Sequence, residues 1–358
     1  MSKLKVGILY GGRSVEHAVS VNSARNILEY IDRTQYEPVP IGVTRGGKWF
    51  KTQMVNKEIE LGSPLAMSLD PTNPAFLSGN QETKVDVMFP LLHGTDGEDG
   101  SVQGLLQTMS IPCVGSGVLG SALSMNKIVA KQLLMHAALP VGKFLWFSKS
   151  ERSRISFHSI KQYLSLPFMV KSASLGSSVG VSKVNSEENF QQAVGESFQY
   201  DNEVLFEEFI EGREIECAVL GNSPPNASKP GEIVISNKYE FYTFDAKYVD
   251  PDAVRIDVPA QLDADTAASI QSISVKAFEI LRCQDYARVD LFLSTKNKVY
   301  INEINTIPGF TNSSMFPMMW KERGISFTDL ISKLIGISLD RHNHSSNVSR
   351  NFNSDLKY

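Results

Sequence analysis

Two runs late in the chain constrain it most. Residues 288–293 (RVDLFL) and 299–305 (VYINEIN) alternate polar and apolar side chains, and the polar stretch 294–298 lies between them. That is the pattern of two strands joined by a turn. Period two places Arg288 with Asp290 on one face, and Glu303 with Asn305 on one face. Pairing the strands would gather Asp290, Glu303 and Asn305 into a set of hard oxygen donors. Such a set suits Mg²⁺, usually held by one or two carboxylates together with nucleotide oxygens. Arg288 lies close enough to bind an anion beside the cation. After Pro308-Gly309, residues 311–314 (TNSS) add hydroxyls and amides. An ordinary hairpin with solvated acids carries the same letters, so the rest of the chain must decide.

At the other end, residues 5–10 (KVGILY) read as a buried strand, followed by Gly11-Gly12 and a helical pattern over 14–30. Strand, glycine turn and helix open a doubly wound α/β domain. Gly7, Gly11 and Gly12 do not make G-x-G-x-x-G, so a dinucleotide-dependent oxidoreductase has only this turn to speak for it. Ser14 is placed to cap the helix, with Glu16 and His17 in its first turn at the positive end of the dipole. Further strands are expected over 39–43, 85–90 and 111–114, with an irregular excursion over 49–81 and a helix over 101–109. The 85–90 strand delivers HGTDGEDG (93–100) to its carboxyl end, where open α/β sheets bind ligands. Glycines there let backbone approach a ligand closely. Asp96, Glu98 and Asp99 lack the spacing of an EF-hand.

The middle of the chain predicts one helix over 119–138. It carries Lys127 and Lys131 one turn apart, for which solvated surface is the plain role. A helix then ends before Pro167. Strand 168–171, a small-residue turn 172–180 and strand 181–184 make a hairpin flap whose N–H groups and hydroxyls can cover a polyphosphate. No Walker A pattern is present. Residues 203–210 read as a strand entering a hinge, with Glu214 beyond. Apolar side chains and hinge backbone there suit a purine, and Glu214 its ribose. Downstream come a strand (214–221), an exposed loop (222–231), a polar-aromatic cover (240–248), helices (264–281 and 327–335) and a frayed tail (341–358).

A length of 358 residues fits two or three domains. With 42% hydrophobic and 21% charged residues the chain is of ordinary globular type. A net charge of −4 supplies no basic field for nucleic acid or anionic lipid. Cys113, Cys217 and Cys283 are widely spaced and odd in number, which points to buried thiols in a reducing compartment. Without a leader-like apolar region or a run of about twenty apolar residues, the expected location is cytoplasmic, off the membrane.

A series of motifs in order carries a family resemblance: GGRSVEHAVS (11–20), LLHGTDGEDGSVQG (91–104), SALSMNK (121–127), LPFMVKSASLGSSVGVSKV (166–184), EEFIEGREI (207–215), FDAKY (244–248), ARVD (287–290) and NEINTIPGFTNSSM (302–315). From about residue 5 to 337 the chain resembles the ATP-grasp superfamily, and within it the D-alanine–D-alanine ligases. The resemblance implies an α/β (α+β) ATP-grasp fold. It comprises an N-terminal Rossmann-like preATP-grasp domain (1–121), a central lid domain (122–208), a C-terminal ATP-grasp domain (209–340) and a flexible tail (341–358). It implies joining of two D-alanines with ATP, through an acyl phosphate and a tetrahedral intermediate, for peptidoglycan precursors. Two Mg²⁺ ions, replaceable by Mn²⁺, and a homodimer come with it.

By that resemblance Glu16, with His93 nearby, holds the ammonium of the first D-alanine. Lys127, Lys171 and Lys247 meet the ATP phosphates, with Ser177 and Ser178 over them. Ser177 joins Glu16 and Tyr248 in closing the flap. Glu207, Glu208, Phe209 and Ile210 frame adenine, and Glu214 takes the ribose. Asp290, Glu303 and Asn305 hold the cations. Arg288 and the Gly309 amide hold the oxyanion, and Ser314 with Met315 the carboxylate of the second D-alanine. Ser172, Ser174 and Leu175 stand where many members have Lys-Pro and charged flap residues, and Met315 where leucine is common. Tyr248 matches the dipeptide-forming members. A D-alanine–D-lactate ligase is the nearest alternative, then a nucleotide-binding protein without catalysis.

Overall fold

The computed structural model describes residues 2–177, 179–236 and 253–349. Ser178, Lys247 and Tyr248, with the expected cover at 240–248 and the end of the tail, lie outside the described residues.

The first sheet forms around β1 (Leu4–Gly11), whose residues from Val6 onward are all buried. α1 (His17–Tyr30) crosses over to β2 (Tyr36–Val43), and β3 (Trp49–Lys51) and β4 (Ser63–Pro64) extend that edge. A strand buried on both faces reads as a continuous apolar run, which is why KVGILY was legible. Gly11 must be glycine: its φ is +94°, and a Cβ would run into the Val43 carbonyl. α1 starts at His17, later than expected. Ser14 does not cap it; its hydroxyl accepts from the Glu16 amide (3.1 Å) and its carbonyl from the His17 amide (3.2 Å), closing a turn before the helix.

The 49–81 excursion is not irregular. Besides β3 and β4 it holds β5 (Ala66–Ser68), β6 (Ala75–Ser78) and β7 (Gln81–Thr83), a three-stranded antiparallel sheet that buries Phe76 under Trp49. Strands of two to four residues are too short for alternation to show. β8 (Val87–Pro90) then completes the first sheet, in the order β4-β3-β2-β1-β8, with β2 and β8 parallel to β1. α2 (Ser101–Thr108) follows the glycine-rich loop. The strand expected at 111–114 is reduced to one bridge, Met88 to Cys113.

The helix expected over 119–138 is two: α3 (Val118–Met125) and α4 (Lys127–His136). Asn126 splits them, leaving helical geometry while its Oδ1 accepts from the Ile128 and Val129 amides at 3.1 and 3.0 Å. The break turns Lys127 and Lys131 inward, to 9% and 2% exposure, so neither is solvated surface. β9 (Phe144–Ser148), α5 (Phe157–Leu164), β10 (Phe168–Ser172), β11 (Val181–Val184), α6 (Glu187–Tyr200) and β12 (Glu203–Glu208) make the second unit. Its antiparallel sheet runs β11-β10-β12-β9 around Phe168, Phe190 and Phe206.

The third unit contains β13 (Gly212–Leu220), β14 (Asn226–Ala227), β15 (Gly231–Ile235), β16 (Val254–Asp257) and α7 (Ala264–Ile280). After them come β17 (Tyr286–Ser294), β18 (Val299–Asn305), α8 (Met315–Glu322) and α9 (Phe327–Ser346). The sheet order is β16-β15-β13-β17-β18, with β14 paired to β13. The 222–231 stretch is therefore not a plain exposed loop; Ser228 within it is fully buried. α8 and α9 share one apolar core with β1, β8 and α1, through Phe310, Phe316, Leu330 and Leu334.

α9 also runs beyond the expected tail boundary. Arg341 is helical and donates to Asp285 (2.9 Å) and to the carbonyls of Cys113 (2.6 Å) and Gly115 (2.9 Å), which fixes the helix end against two units. Among the described residues no helix is long and apolar enough to cross a membrane.

Candidate active site

The predicted hairpin forms, and its register makes the site. Arg288 on β17 stands opposite Asn305 on β18, and Asp290 opposite Glu303, with a shift between Asp290 and Leu291. Asp290, Glu303 and Asn305 thus share a face, and Arg288 lies on it. Arg288 donates from Nε to Asp290 Oδ1 (2.6 Å) and from Nη2 to Oδ2 (2.7 Å). Its Nε also lies 3.0 Å from Glu216 Oε2. Glu303 Oε2 lies 3.2 Å from Lys127 Nζ, which donates to the Leu175 carbonyl in the flap at 2.7 Å.

Behind this face three buried charges are linked. Glu207 on β12 lies between Lys131 Nζ (2.5 Å) and Lys171 Nζ (2.7 Å). Lys171 also donates to Asn302 Oδ1, and Lys131 to the Asn302 carbonyl, both at 3.1 Å. Burial opposes the charge on Glu207, yet the two ammonium groups outweigh it and hold the carboxyl well below the usual range. Burial depresses Lys131 more than Glu207 can restore, whereas Lys171, also buried, is raised because its carboxylate neighbours win.

Two loops at the carboxyl ends of β1 and β8 supply the other wall. Glu16 accepts the Ser177 hydroxyl from the flap. His93 Nδ1 bonds the Ile307 carbonyl (2.8 Å), so that nitrogen carries the proton, and Nε2 accepts from Ser23 Oγ (3.1 Å). Burial lowers its pKa, consistent with a neutral ring. Glu98 accepts from the Gly94 amide (2.7 Å) and the Ile307 amide (3.0 Å). Burial, then repulsion from Glu16, pushes its carboxyl up to about 8.

Two clefts flank the hairpin. The first, about 600 Å³, is lined by Lys171, Glu207, Glu208, Phe209, Ile210 and Glu214, among others. The second, about 490 Å³, is lined by Glu16, His93, Gly309, Thr311, Ser314 and Met315, among others. Lys127, Ser177, Glu216, Arg288 and Glu303 line both, so one partition separates a nucleotide-sized space from a smaller polar one. Lys183 covers the Phe209 ring at 4.3 Å. Glu208 accepts from the Lys143 amide at 2.7 Å, and Ser314 Oγ from the Thr311 amide at 3.1 Å.

Among the described residues no three Asp, Glu, His or Cys side chains converge as a metal-binding group. A hard cation here would rest on Asp290, Glu303 and the Asn305 amide oxygen, with nucleotide oxygens completing its shell. The donor chemistry fits that use.

Sequence reasoning missed four members of the site. Glu216 was the most accessible, being two residues after Glu214 and so on the same strand face. Lys131 signalled itself only as a charge four residues after Lys127. Glu98 was read as one loop acid among three. Asn302 gave no signal beyond its place in the hairpin.

A sequence model of the D-ala D-ala ligase N-terminus matches residues 5–116, and one of the D-ala D-ala ligase C-terminus matches residues 133–336. The chain is 45% identical over 356 residues to D-alanine–D-alanine ligase A of Salmonella typhimurium, covering 96% of this chain and 97% of that one. The D-alanine-D-alanine ligase structure from Coxiella burnetii superposes with a TM-score of 0.84 at 36% identity, covering 97% of each chain. The Bacillus anthracis D-alanine–D-alanine ligase complexed with ATP gives 0.74 at 25% identity, covering 96% of this chain and 99% of that one. With these relatives spanning nearly its whole length, and with their ATP-grasp fold, the chain belongs to the D-alanine–D-alanine ligase family.

Proposed function

We propose that the chain joins two D-alanine molecules into D-alanyl-D-alanine, converting ATP to ADP and phosphate, as a step toward peptidoglycan precursors. The observation that carries this reading is the shared partition. A reaction that moves a phosphoryl group from nucleotide to carboxylate needs both in one place, and Lys127, Ser177, Arg288 and Glu303 face both clefts.

ATP occupies the first cleft, with adenine beside Phe209 and Ile210 and the ribose toward Glu214. Lys127 and Lys171 meet the phosphates, and Lys247 is assigned with them. Glu16 takes the ammonium of the first D-alanine in the second cleft. A carboxylate is a poor electrophile. Its oxygen attacks the γ-phosphorus, the bond to ADP breaks, and an acyl phosphate remains. The amine of the second D-alanine, held by its carboxylate near Ser314 and Met315, gives up one ammonium proton to solvent before the flap closes and attacks the acyl carbon, and its second proton leaves with the departing phosphate. Arg288 and the Gly309 amide hold the oxygen that becomes negative, and phosphate departs as the carbonyl re-forms. Mg²⁺ on Asp290, Glu303 and Asn305, or Mn²⁺ in its place, would offset phosphate charge when bound. The flap over Ser177 excludes water that would otherwise hydrolyse the acyl phosphate.

Incubation of purified protein with ATP, Mg²⁺ and D-alanine, L-alanine or D-lactate decides the matter. The reading expects phosphate release and dipeptide with D-alanine. No dipeptide at saturating substrate overturns it, and preference for D-lactate moves the assignment to depsipeptide formation.

The same reading assigns a domain to each main sheet, a cytoplasmic location and a homodimer through the N-terminal domain. These rest on the family resemblance, and light scattering on the purified chain tests the dimer.

A further inference from the structure

Glu216 stands at the centre of the partition. Its partner across the β13–β17 ladder is Asp290, whose partner on β18 is Glu303. Three acids therefore lie side by side across three strands, an unfavourable arrangement unless cations sit among them. Lys127 serves Glu303, and Arg288 is clasped between Asp290 and Glu216. Ala218 is the register partner of Arg288, so Glu216 is its diagonal neighbour, within reach of a long side chain. The Glu216 side chain is 6% exposed, on a strand flanked by others on both sides.

Asp290 has two competing uses. It grips the Arg288 fork with both oxygens, and it is one of two carboxylates offered to a divalent cation. An oxygen shared with a cation has less charge to give the guanidinium, so the grip of Asp290 on Arg288 weakens when a cation binds. We propose that Glu216 is the positioning residue for Arg288. Its carboxylate, 3.0 Å from Nε, takes over the Nε hydrogen as the hold of Asp290 weakens, so that the Nη hydrogens face the oxygen of the acyl carbon. The inference rests on the oxyanion role of Arg288 given above.

The test compares Glu216→Ala and Glu216→Gln with wild type in two measurements. In protein carrying ¹⁵Nε-arginine, with Mg²⁺ and ADP bound, the Arg288 Nε–H signal is assigned by its loss in Arg288→Lys. Its exchange with solvent is expected to be at least roughly tenfold faster in Glu216→Ala, with Glu216→Gln between, since an amide oxygen still accepts. The kcat of Glu216→Ala is expected to fall roughly 10–100-fold with the ATP KM within about twofold, and Glu216→Gln to recover part of the loss. Unchanged Nε–H exchange and kcat in Glu216→Ala, while Arg288→Ala is inactive, overturn the inference alone. An active Arg288→Ala overturns the reading beneath it. If Glu216→Ala does not fold, Glu216→Gln decides by the same two measurements.

Discussion

Ser177 donates its hydroxyl to the Glu16 carboxylate, which ties the flap to the start of α1 across 161 residues of chain. The contact is held by backbone that side chains seldom adopt, with Ser177 at φ +54°. Gly176 has little room there, since a Cβ on it would lie 3.1 Å from Glu16 Oε2. Removing the hydroxyl loosens both the flap and the carboxylate assigned to the substrate ammonium. Ser177→Ala is expected to lower kcat/KM for D-alanine roughly 10–100-fold. Steady-state kinetics checks this, and a change under twofold would dispose of the latch.

Arg288→Ala is expected to remove ligation while largely sparing nucleotide binding, because the lysines and the Phe209, Ile210 and Glu214 side chains assigned to the nucleotide in the first cleft remain in place. Loss of one oxyanion donor costs roughly 10²–10³ in rate. Titration calorimetry with a non-hydrolysable ATP analogue, alongside dipeptide assay, separates the two effects. Near wild-type ligation would take Arg288 out of the oxyanion role.

Glu207→Ala leaves Lys131 and Lys171 facing each other in a buried site, which typically costs about 3–5 kcal/mol. Urea denaturation at neutral pH measures it. The pH dependence has a definite sign. A depressed carboxyl contributes stability that is present above its ordinary value of 4.5 and fades as the pH falls toward about 2. The variant should therefore lose less stability than wild type over that acid range.

Glu98 acts in the opposite sense. Its carboxyl is raised from 4.5 to about 8, so the folded chain retains a proton that the unfolded chain has released. The stabilisation is complete below pH 4.5 and declines as the pH rises toward 8, at up to about 1.4 kcal/mol per unit. Glu98→Gln, which cannot ionise, is expected to flatten that decline while losing one of the two amide contacts. Denaturation midpoints from pH 5 to 8 that keep the wild-type slope would contradict the burial argument.

Much of the architecture was legible because long periodic runs advertise themselves. The hairpin of β17 and β18 showed its faces through alternation, and the grouping of Asp290, Glu303 and Asn305 followed from pairing the strands, whereas the shift between Asp290 and Leu291 that sets the register left no such signal. Where reading failed, a local or distant partner had overruled the pattern. Asn126 interrupts an otherwise continuous helical stretch because its side chain satisfies two amides, and no apolar period reports that. Lys131 looked like surface until a carboxylate on another unit made its burial tolerable. Arg341 looked like tail because the groups that fix it, Asp285 and two carbonyls near Cys113, are remote in sequence.

The partition common to both clefts has a thermodynamic corollary. Side chains that face two ligands at once make their affinities mutually dependent, and linkage requires the influence to be equal in each direction. Whatever factor a bound nucleotide contributes to amino-acid affinity, the amino acid returns to the nucleotide. An inhibitor lodged on either side of Arg288 and Glu303 would therefore change its potency with the concentration of the other substrate, even without touching it.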